Sequence, residues 1–367
     1  MSRIRSSTTA LAAIGMMAGA SAVAPAHAAP ASQPVEPVEV TSTITLLTHD
    51  SFPTEGTTLN EALDAFTAQT GIAVEVVQAG DAGTMVSKAV LTAGNPEGDV
   101  LYGIDNTYLS RAVNGGVFEP YEAAGLDDVD EALTGLVPDH EATPIDFGDV
   151  CVNYDIDWFA DEVLDPPTDL ASLAEPEYAD LLVVENPASS SPGLAFLMAT
   201  VAEFGADGWV DYWNDLVANG VEIVDDWSGA YYEEFTFSGG SRPLVVSYGS
   251  SPPYEAIYAD PPLDPRTDTV STAVAEGTCF RQTEYAGVLR GTDRPDAAGQ
   301  LIEFLQSPRF QQEIPMNLFM FPVDDSVELD PAFTEFAAIP TDPLTLDPAE
   351  IDAHRSEWID RWTQLLE

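Results

Sequence analysis

The sequence predicts an α/β fold of two βα lobes joined by a pair of hinge strands. Three observations predict it. Strand-like and helical patterns alternate through the first third of the chain. A second α/β set begins after residue 154. Two long strand-like segments, near residues 150 and 280, lie between the sets. Strands separated by helical patterns imply parallel βαβ units. A chain that leaves one lobe, builds a second and returns needs two connections, and the two long segments supply them.

The elements follow in order. Residues 44–48 are a β-branched run. Residues 59–70 carry Leu59, Ala62, Leu63 and Phe66 at helical spacing and stop at Gly71. Residues 72–77 are a second strand, 84–93 a second helix, 99–102 a third strand and 106–113 a third helix. Residues 146–154 form the first crossing strand. The second set has strands at 181–184, 221–224 and 244–247. Its helices are at 194–204, 209–218 and 228–235. Residues 270–274 and 278–288 return as strands, and 295–305 and 308–313 are helical. A terminal helix over 348–366 offers Ile351, Trp358, Ile359 and Trp362 to the core. No repeat occurs at solenoid periods. The expected division is lobe 1 over 43–148 plus 282–367 and lobe 2 over 149–281. Ligands bind such folds between the lobes, near strand ends and helix starts.

The first 28 residues read as a secretory leader. Arg3 and Arg5 precede an apolar, small-residue run, and Ala26-His27-Ala28 is a small-x-small cleavage site. The Pro-rich stretch at 29–42 reads as a flexible linker. Export permits Cys151 and Cys279, the only cysteines among 367 residues, to form a disulfide. The alternative is two buried free thiols.

Twelve basic residues face 62 acidic ones, a formal charge of −50. That excludes nucleic acid as a partner, because phosphate binding needs a basic footprint. It fits either steering of a cationic ligand or a surface solvated for a salty medium. Enzyme signatures are lacking. Outside the leader, His49, His140 and His354 are scattered. No GxSxG, HExxH, Walker loop or strand-following GxGxxG occurs. No catalytic residue, metal or cofactor is expected.

Six polar-aromatic segments stand out instead: T-H-D-S-F (48–52), G-I-D-N (103–106), N-P-A-S-S-S-P-G (186–193), D-W-S-G-A-Y (226–231), S-Y-G-S-S-P-P-Y (247–254) and I-P-M-N-L-F-M-F-P-V (314–323). In the third, Ser191 reads as a helix N-cap with Pro192 at the first helical position. The N–H groups there suit an anion or a hydroxyl oxygen. Trp227, Tyr248 and Tyr254 offer faces on which a flat cation stacks, at roughly 0.5–2 kcal/mol per contact. Asp50 and Asp105 offer opposing charge.

Taken in this order and spacing, the segments, together with Trp358 and Trp362, resemble the periplasmic thiamine-binding proteins of thiamine ABC importers. These belong to the type II solute-binding protein superfamily. The resemblance runs from residue 43 to about residue 364. It implies a two-lobed type II periplasmic binding protein fold and a monomer that holds thiamine or a thiamine phosphate. It also implies delivery to an ABC permease from the periplasm or the extracytoplasmic cell surface, without catalysis. By position, Trp227 and Tyr248 fall at the ligand's polar end and Tyr254 at a ring-stacking place. Gly83, Ser190 and Ser191 fall at the phosphate end. Two departures are visible: His49 stands where the family commonly has Tyr, and Phe319 where it commonly has Trp. His49 can still donate a hydrogen bond and makes binding pH-sensitive. Ferric iron capture through Tyr231 and Tyr232, polyamine capture, and an exported thiamine-degrading enzyme are the competing expectations.

Overall fold

β1 (Ser42–Thr48), α1 (Thr58–Thr70) and β2 (Ile72–Gln78) open the fold as a βαβ unit whose strands pair in parallel. α1 is well bounded. Thr57 and Asn60 form a capping box, and Gly71 ends the helix in the left-handed region. The computed structural model describes residues 39–126, 129, 131–134, 137, 139–258 and 269–366. The expected leader (1–28) and most of the expected linker lie outside these. The linker's last residues are already part of the fold: Thr41 N–H bonds Gly71 C=O at 2.8 Å, and Ser42 opens β1.

α2 (Ala82–Leu91), β3 (Val100–Asp105) and α3 (Asn106–Asn114) follow, with β3 buried throughout. Short β4 (Phe118–Glu119) and α4 (Glu131–Thr134) lead to β5 (Thr143–Asp155), longer than expected, and α5 (Ile156–Glu162). β6 (Leu182–Glu185) feeds α6 (Ser191–Ala218). The two helices expected at 194–204 and 209–218 meet within α6 at a kink at Gly205, whose φ of 73° only glycine takes easily. β7 (Glu222–Val224) and β8 (Leu244–Tyr248) flank a π-helical turn at Gly229–Glu234. The regular helix expected at 228–235 is therefore a wider coil.

α7 (Pro252–Tyr258), β9 (Ser271–Ala273) and β10 (Phe280–Leu289) return the chain. α8 (Pro295–Leu305), α9 (Pro308–Gln311), α10 (Ile314–Leu318), β11 (Phe321–Pro322), α11 (Pro331–Phe336) and α12 (Pro348–Leu365) complete it.

The sheet order is β2-β1-β3-β10-β5-β8-β6-β7, with β4 on β10 and both β9 and β11 on β5. Its two ends are parallel trios, β2-β1-β3 and β8-β6-β7. The middle pair, β10 and β5, is antiparallel to its neighbours and to itself. This is the two-lobed α/β arrangement: each trio is a βα layer, and the long central strands connect them. Cys151 on β5 and Cys279 just before β10 are joined by a disulfide.

One apolar cluster packs α1, β1–β3, α8 and α9 through Phe66, Leu301 and Phe310. A larger one runs from α2 and α3 through α6 to α12. α12 delivers Ile351, Trp358 and Trp362 to it, while Ile359 is only half-buried. Trp362 meets Trp213 of α6 edge-on at 5.5 Å. Each such fully buried side chain contributes about 1.5–3 kcal/mol. No helix among the described residues is long and apolar enough to cross a membrane.

Candidate functional site

The ends of both parallel trios face one cavity of about 350 Å³. One wall comes from the turn after β1, the start of α2, β3, β10 and the segment after α10. The opposite wall comes from the start of α6, the π-helical turn, β8 and α7.

On the first wall, His49 follows β1 directly. Its Nδ1 lies 2.7 Å from Ser51 Oγ and its Nε2 3.7 Å from Glu284 Oε2, within ion-pair reach. Burial alone lowers the His49 pKa, but Glu284, helped by Asp81 and Asp50, overcomes this and raises it. The ring rests on Gly103. A Cβ there would sit 2.2 Å from His49 Cδ2, and φ at Gly103 is +87°. Glycine at 103 is thus needed for both space and backbone.

Asp50 Oδ1 accepts from Gly80 N–H at 3.0 Å, and Asp81 caps α2 by accepting from Ala82 N–H at 2.6 Å. Burial raises the Asp81 pKa to about 6 against the opposing backbone bond and His49. Glu284 sits opposite Asp146 in the β10–β5 register. Asp146 is fully buried and accepts a short hydrogen bond from Tyr102 O–H. Burial, then the charge of Glu284, holds the Asp146 carboxyl well above its usual range.

On the second wall, Ser191 opens α6. Its hydroxyl donates a short bond to Asp105 and accepts from Gln282 Nε2 at 2.5 Å. Trp227 stacks on Tyr231 with centroids 4.9 Å apart, and its Nε1–H donates to Ser247 Oγ at 2.9 Å. Asp226 Oδ1 accepts from Gly229 N–H at 2.8 Å. Tyr248 turns its ring to the cavity, and its hydroxyl has no partner among the described residues. Burial, reinforced by Glu284, Asp105 and Asp81, holds that hydroxyl well above its ordinary pKa.

An aromatic jaw lines part of the cavity. Tyr254 and Phe319 meet there at 5.1 Å and 88°. Phe319 ends α10 with φ of 54°, a conformation rare outside glycine, and Phe333 backs its ring at 5.8 Å. Strain of this kind, roughly 1–3 kcal/mol, persists where surrounding structure enforces it.

Of the residues singled out in the sequence, His49, Asp50, Ser191, Trp227, Tyr248, Tyr254 and Phe319 line the cavity together. Gly83, Asp105 and Ser190 do not, each for a physical reason. Gly83 lies inside α2 and faces inward, where a Cβ would be 2.8 Å from the Tyr108 hydroxyl oxygen. Asp105 is fully buried, caps α3 through Thr107 N–H at 2.6 Å, and works through Ser191 from behind the wall. Ser190 is the N-cap residue of α6, the place expected for Ser191, and is buried without a side-chain cap bond.

Asp81 and Glu284, which also line the site, lie outside the segments singled out in the sequence; Ser228, Ser251 and Asn317 lie within those segments without a role given to them, and Tyr232 was expected only as an iron ligand. Asp81 had a signal in its position just before a helical run. Glu284 had one as a lone acid in the strand Y-A-G-V-L follows. Among the described residues no lysine or arginine lines the cavity, while Asp50, Asp81, Asp226 and Glu284 do.

A cavity between two βα layers, lined by aromatic rings and carboxylates, is built to hold a small organic solute. The family described as bacterial extracellular solute-binding protein matches residues 95–342. The chain belongs to this family. It is therefore a binding protein and not an enzyme, and an extracellular one. This solute-binding protein is 28% identical over 326 residues to the thiamine-binding periplasmic protein of Escherichia coli K12, covering 89% of this chain and 94% of the relative. Its fold matches a solved periplasmic thiamin binding protein with a TM-score of 0.76 at 28% identity, over 89% of this chain and 96% of the other. It also matches an iron-bound protein of Pseudomonas aeruginosa with a TM-score of 0.68 at 20% identity, over 88% and 99%. That second likeness speaks to the fold alone.

Proposed function

We propose that this protein captures thiamine, free or phosphorylated, in the cavity and delivers it to the permease of an ABC importer. One observation carries the reading: a π-faced pair, Tyr254 against Phe319, lines the same cavity as four carboxylates, with no lysine or arginine among the described lining residues. A flat, permanently cationic ring is held by such faces and by nearby negative charge. The likeness to thiamine-binding relatives along nearly the whole chain supports it.

The lobes are 43–148 plus 282–367 and 149–281, with β5 and β10 as the hinge. Capture is by closure of the two walls on the solute. The protein acts as a monomer, outside the cytoplasm. His49, Asp50, Trp227, Tyr248, Tyr254, Phe319 and Ser191 touch the ligand, while Asp105, Ser190 and Gly83 support those contacts from behind.

The competing readings are less well served by the site. Ferric iron would need Tyr231 and Tyr232 as tyrosinates. Tyr231 O–H is committed to Glu255 Oε1 at 2.5 Å, and burial pushes both hydroxyls upward in pKa. A thiamine-degrading enzyme would need a thiolate, and both cysteines are in the disulfide.

Isothermal titration of the purified mature protein with thiamine, spermidine and ferric citrate tests the reading. Saturable one-to-one binding of thiamine, with spermidine and iron far weaker, is expected. Tight spermidine binding with none of thiamine would replace this reading by polyamine capture.

A further inference from the structure

We propose that Glu255, which does not itself line the cavity, is the positioning residue of the aromatic wall: through Tyr231 it holds the Trp227 indole where the solute meets it. The inference rests on the thiamine reading above and adds to it a residue that the solute never touches.

Glu255 lies on α7 beside Tyr254 and is fully buried. Three donors converge on its carboxylate. Oε1 accepts from Tyr231 O–H at 2.5 Å and from the Ser271 hydroxyl at 2.6 Å, and Oε2 accepts from Ser271 N–H at 2.7 Å. The donors come from the π-helical turn and from β9, so one side chain joins three segments that are separate in the chain. A group that only accepts is needed there. An amide in its place leaves at least one of these donors without an acceptor, whichever way it faces. Burial pushes the Glu255 pKa up to about 7, and the three hydrogen bonds oppose the rise. Bonds to an ionised acceptor are the strong ones, and above that pH Glu255 is such an acceptor.

The hold passes from Tyr231 to the cavity. Tyr231 is itself fully buried, and its ring stacks on the Trp227 indole at 4.9 Å and 16°. Trp227 lines the cavity. Tyr232, another lining residue, meets both rings edge-on, 5.6 Å from Tyr231 and 5.2 Å from Trp227. The turn that carries these rings is π-helical, a rare geometry that occurs mostly as single turns and often at functional sites. Anchoring Tyr231 to α7 fixes that turn against the helix that bears Tyr254. The wall is thus ordered before the solute arrives, and binding does not have to order it.

Thiamine titration at about pH 8, above the Glu255 pKa of about 7, tests this, with urea unfolding of the same proteins alongside. Tyr231→Phe removes the O–H and keeps the ring, and is expected to weaken thiamine binding about fivefold by loosening the wall. Glu255→Gln is expected to do the same. The double variant should lose no more than either single one, because both changes break one bond. Ser271→Ala takes a donor from the same carboxylate, but Ser271 does not line the cavity or touch Trp227. It is expected to lower unfolding stability and to leave thiamine affinity within about twofold of wild type. Wild-type affinity in folded Tyr231→Phe overturns the inference. Losses that multiply in the double variant overturn it too, as does a Ser271→Ala protein that binds as weakly as Tyr231→Phe, since Glu255 would then be a general support of the fold. If Glu255→Gln does not fold, the contrast between Tyr231→Phe and Ser271→Ala decides alone. Failure of the wild-type protein to bind thiamine overturns the thiamine reading and this inference with it.

Discussion

At the scale of single residues, the site depends on a few positions that the chain can hardly vary. Tyr254 has its ring in the jaw and its neighbours supplied by Tyr232, Tyr258 and Phe319. Tyr254→Ala removes one π face. Thiamine affinity is expected to fall at least about tenfold with the melting temperature little changed, since one cation–π contact is worth up to about 2 kcal/mol when desolvated. Titration and calorimetric melting of the same variant check this, and unchanged affinity would remove Tyr254 from the pocket. Gly103→Ala is the complementary case. It places a methyl into the His49 ring at a backbone angle that disfavours any side chain. A loss of about 1–3 kcal/mol in urea unfolding is expected, together with weaker thiamine binding. A variant as stable as wild type would show that His49 yields at no energetic loss.

Much of this scale was legible from sequence. The aromatic and acidic residues at strand ends and helix starts were visible as segments. What they touch was not. Asp105 reads as an exposed-looking acid after a strand, yet β3 carries it into the interior, where it serves Thr107 and Ser191. Glu284 reaches the cavity because β10 pairs with β5 in a register that sets it beside Asp146. Pairing between strands so distant in the chain leaves no local trace.

At the scale of elements, periodicity placed most helices and strands, including the break near Gly205 between the two helical stretches of α6, and misjudged the turn at Gly229–Glu234, whose π-helical geometry looks like an ordinary helix to a 3.6-residue period. Short α7, α11, β4 and β11 lack the length to show a period at all. α12 carried a clear signal, with apolar residues on one stripe. It packs across both α3 and α6, with Arg355 donating to Thr107 C=O at 3.1 Å and Trp362 against Trp213. Trp362→Ala is expected to lower unfolding free energy by about 3–5 kcal/mol. Chemical denaturation measures it, and a loss below about 1 kcal/mol would mean that α12 is peripheral to the core.

At the scale of the whole molecule, the excess of acids sets the response to pH. Burial raises the pKa of Asp81 to about 6 and of Glu255 to about 7, and raises Asp105, Asp146, Asp149 and Glu185 as well. A carboxyl whose folded pKa lies above its unfolded value binds protons more readily when folded. Its contribution is full below about pH 4 and is lost as pH rises through the folded value. His49, also raised, acts in the same direction at higher pH. Repulsion within a chain of formal charge −50 adds to the trend. The unliganded protein is therefore expected to melt several degrees lower at about pH 8 than at about pH 5.5, with added salt recovering part of the loss. A melting temperature that is flat or rising over that range would contradict the assignment of these shifts.

The buried bond between Ser191 and Asp105 ties the first turn of α6 to the first turn of α3, at the floor between the two walls. Under the proposed closure, the walls part to release a solute only when that bond is broken. A hydrogen bond to a charged group is worth about 1.5–3 kcal/mol, which scales a rate of departure by roughly ten- to a hundredfold. On that reading, the dwell time of a captured molecule is set in part by a carboxylate that the molecule never meets.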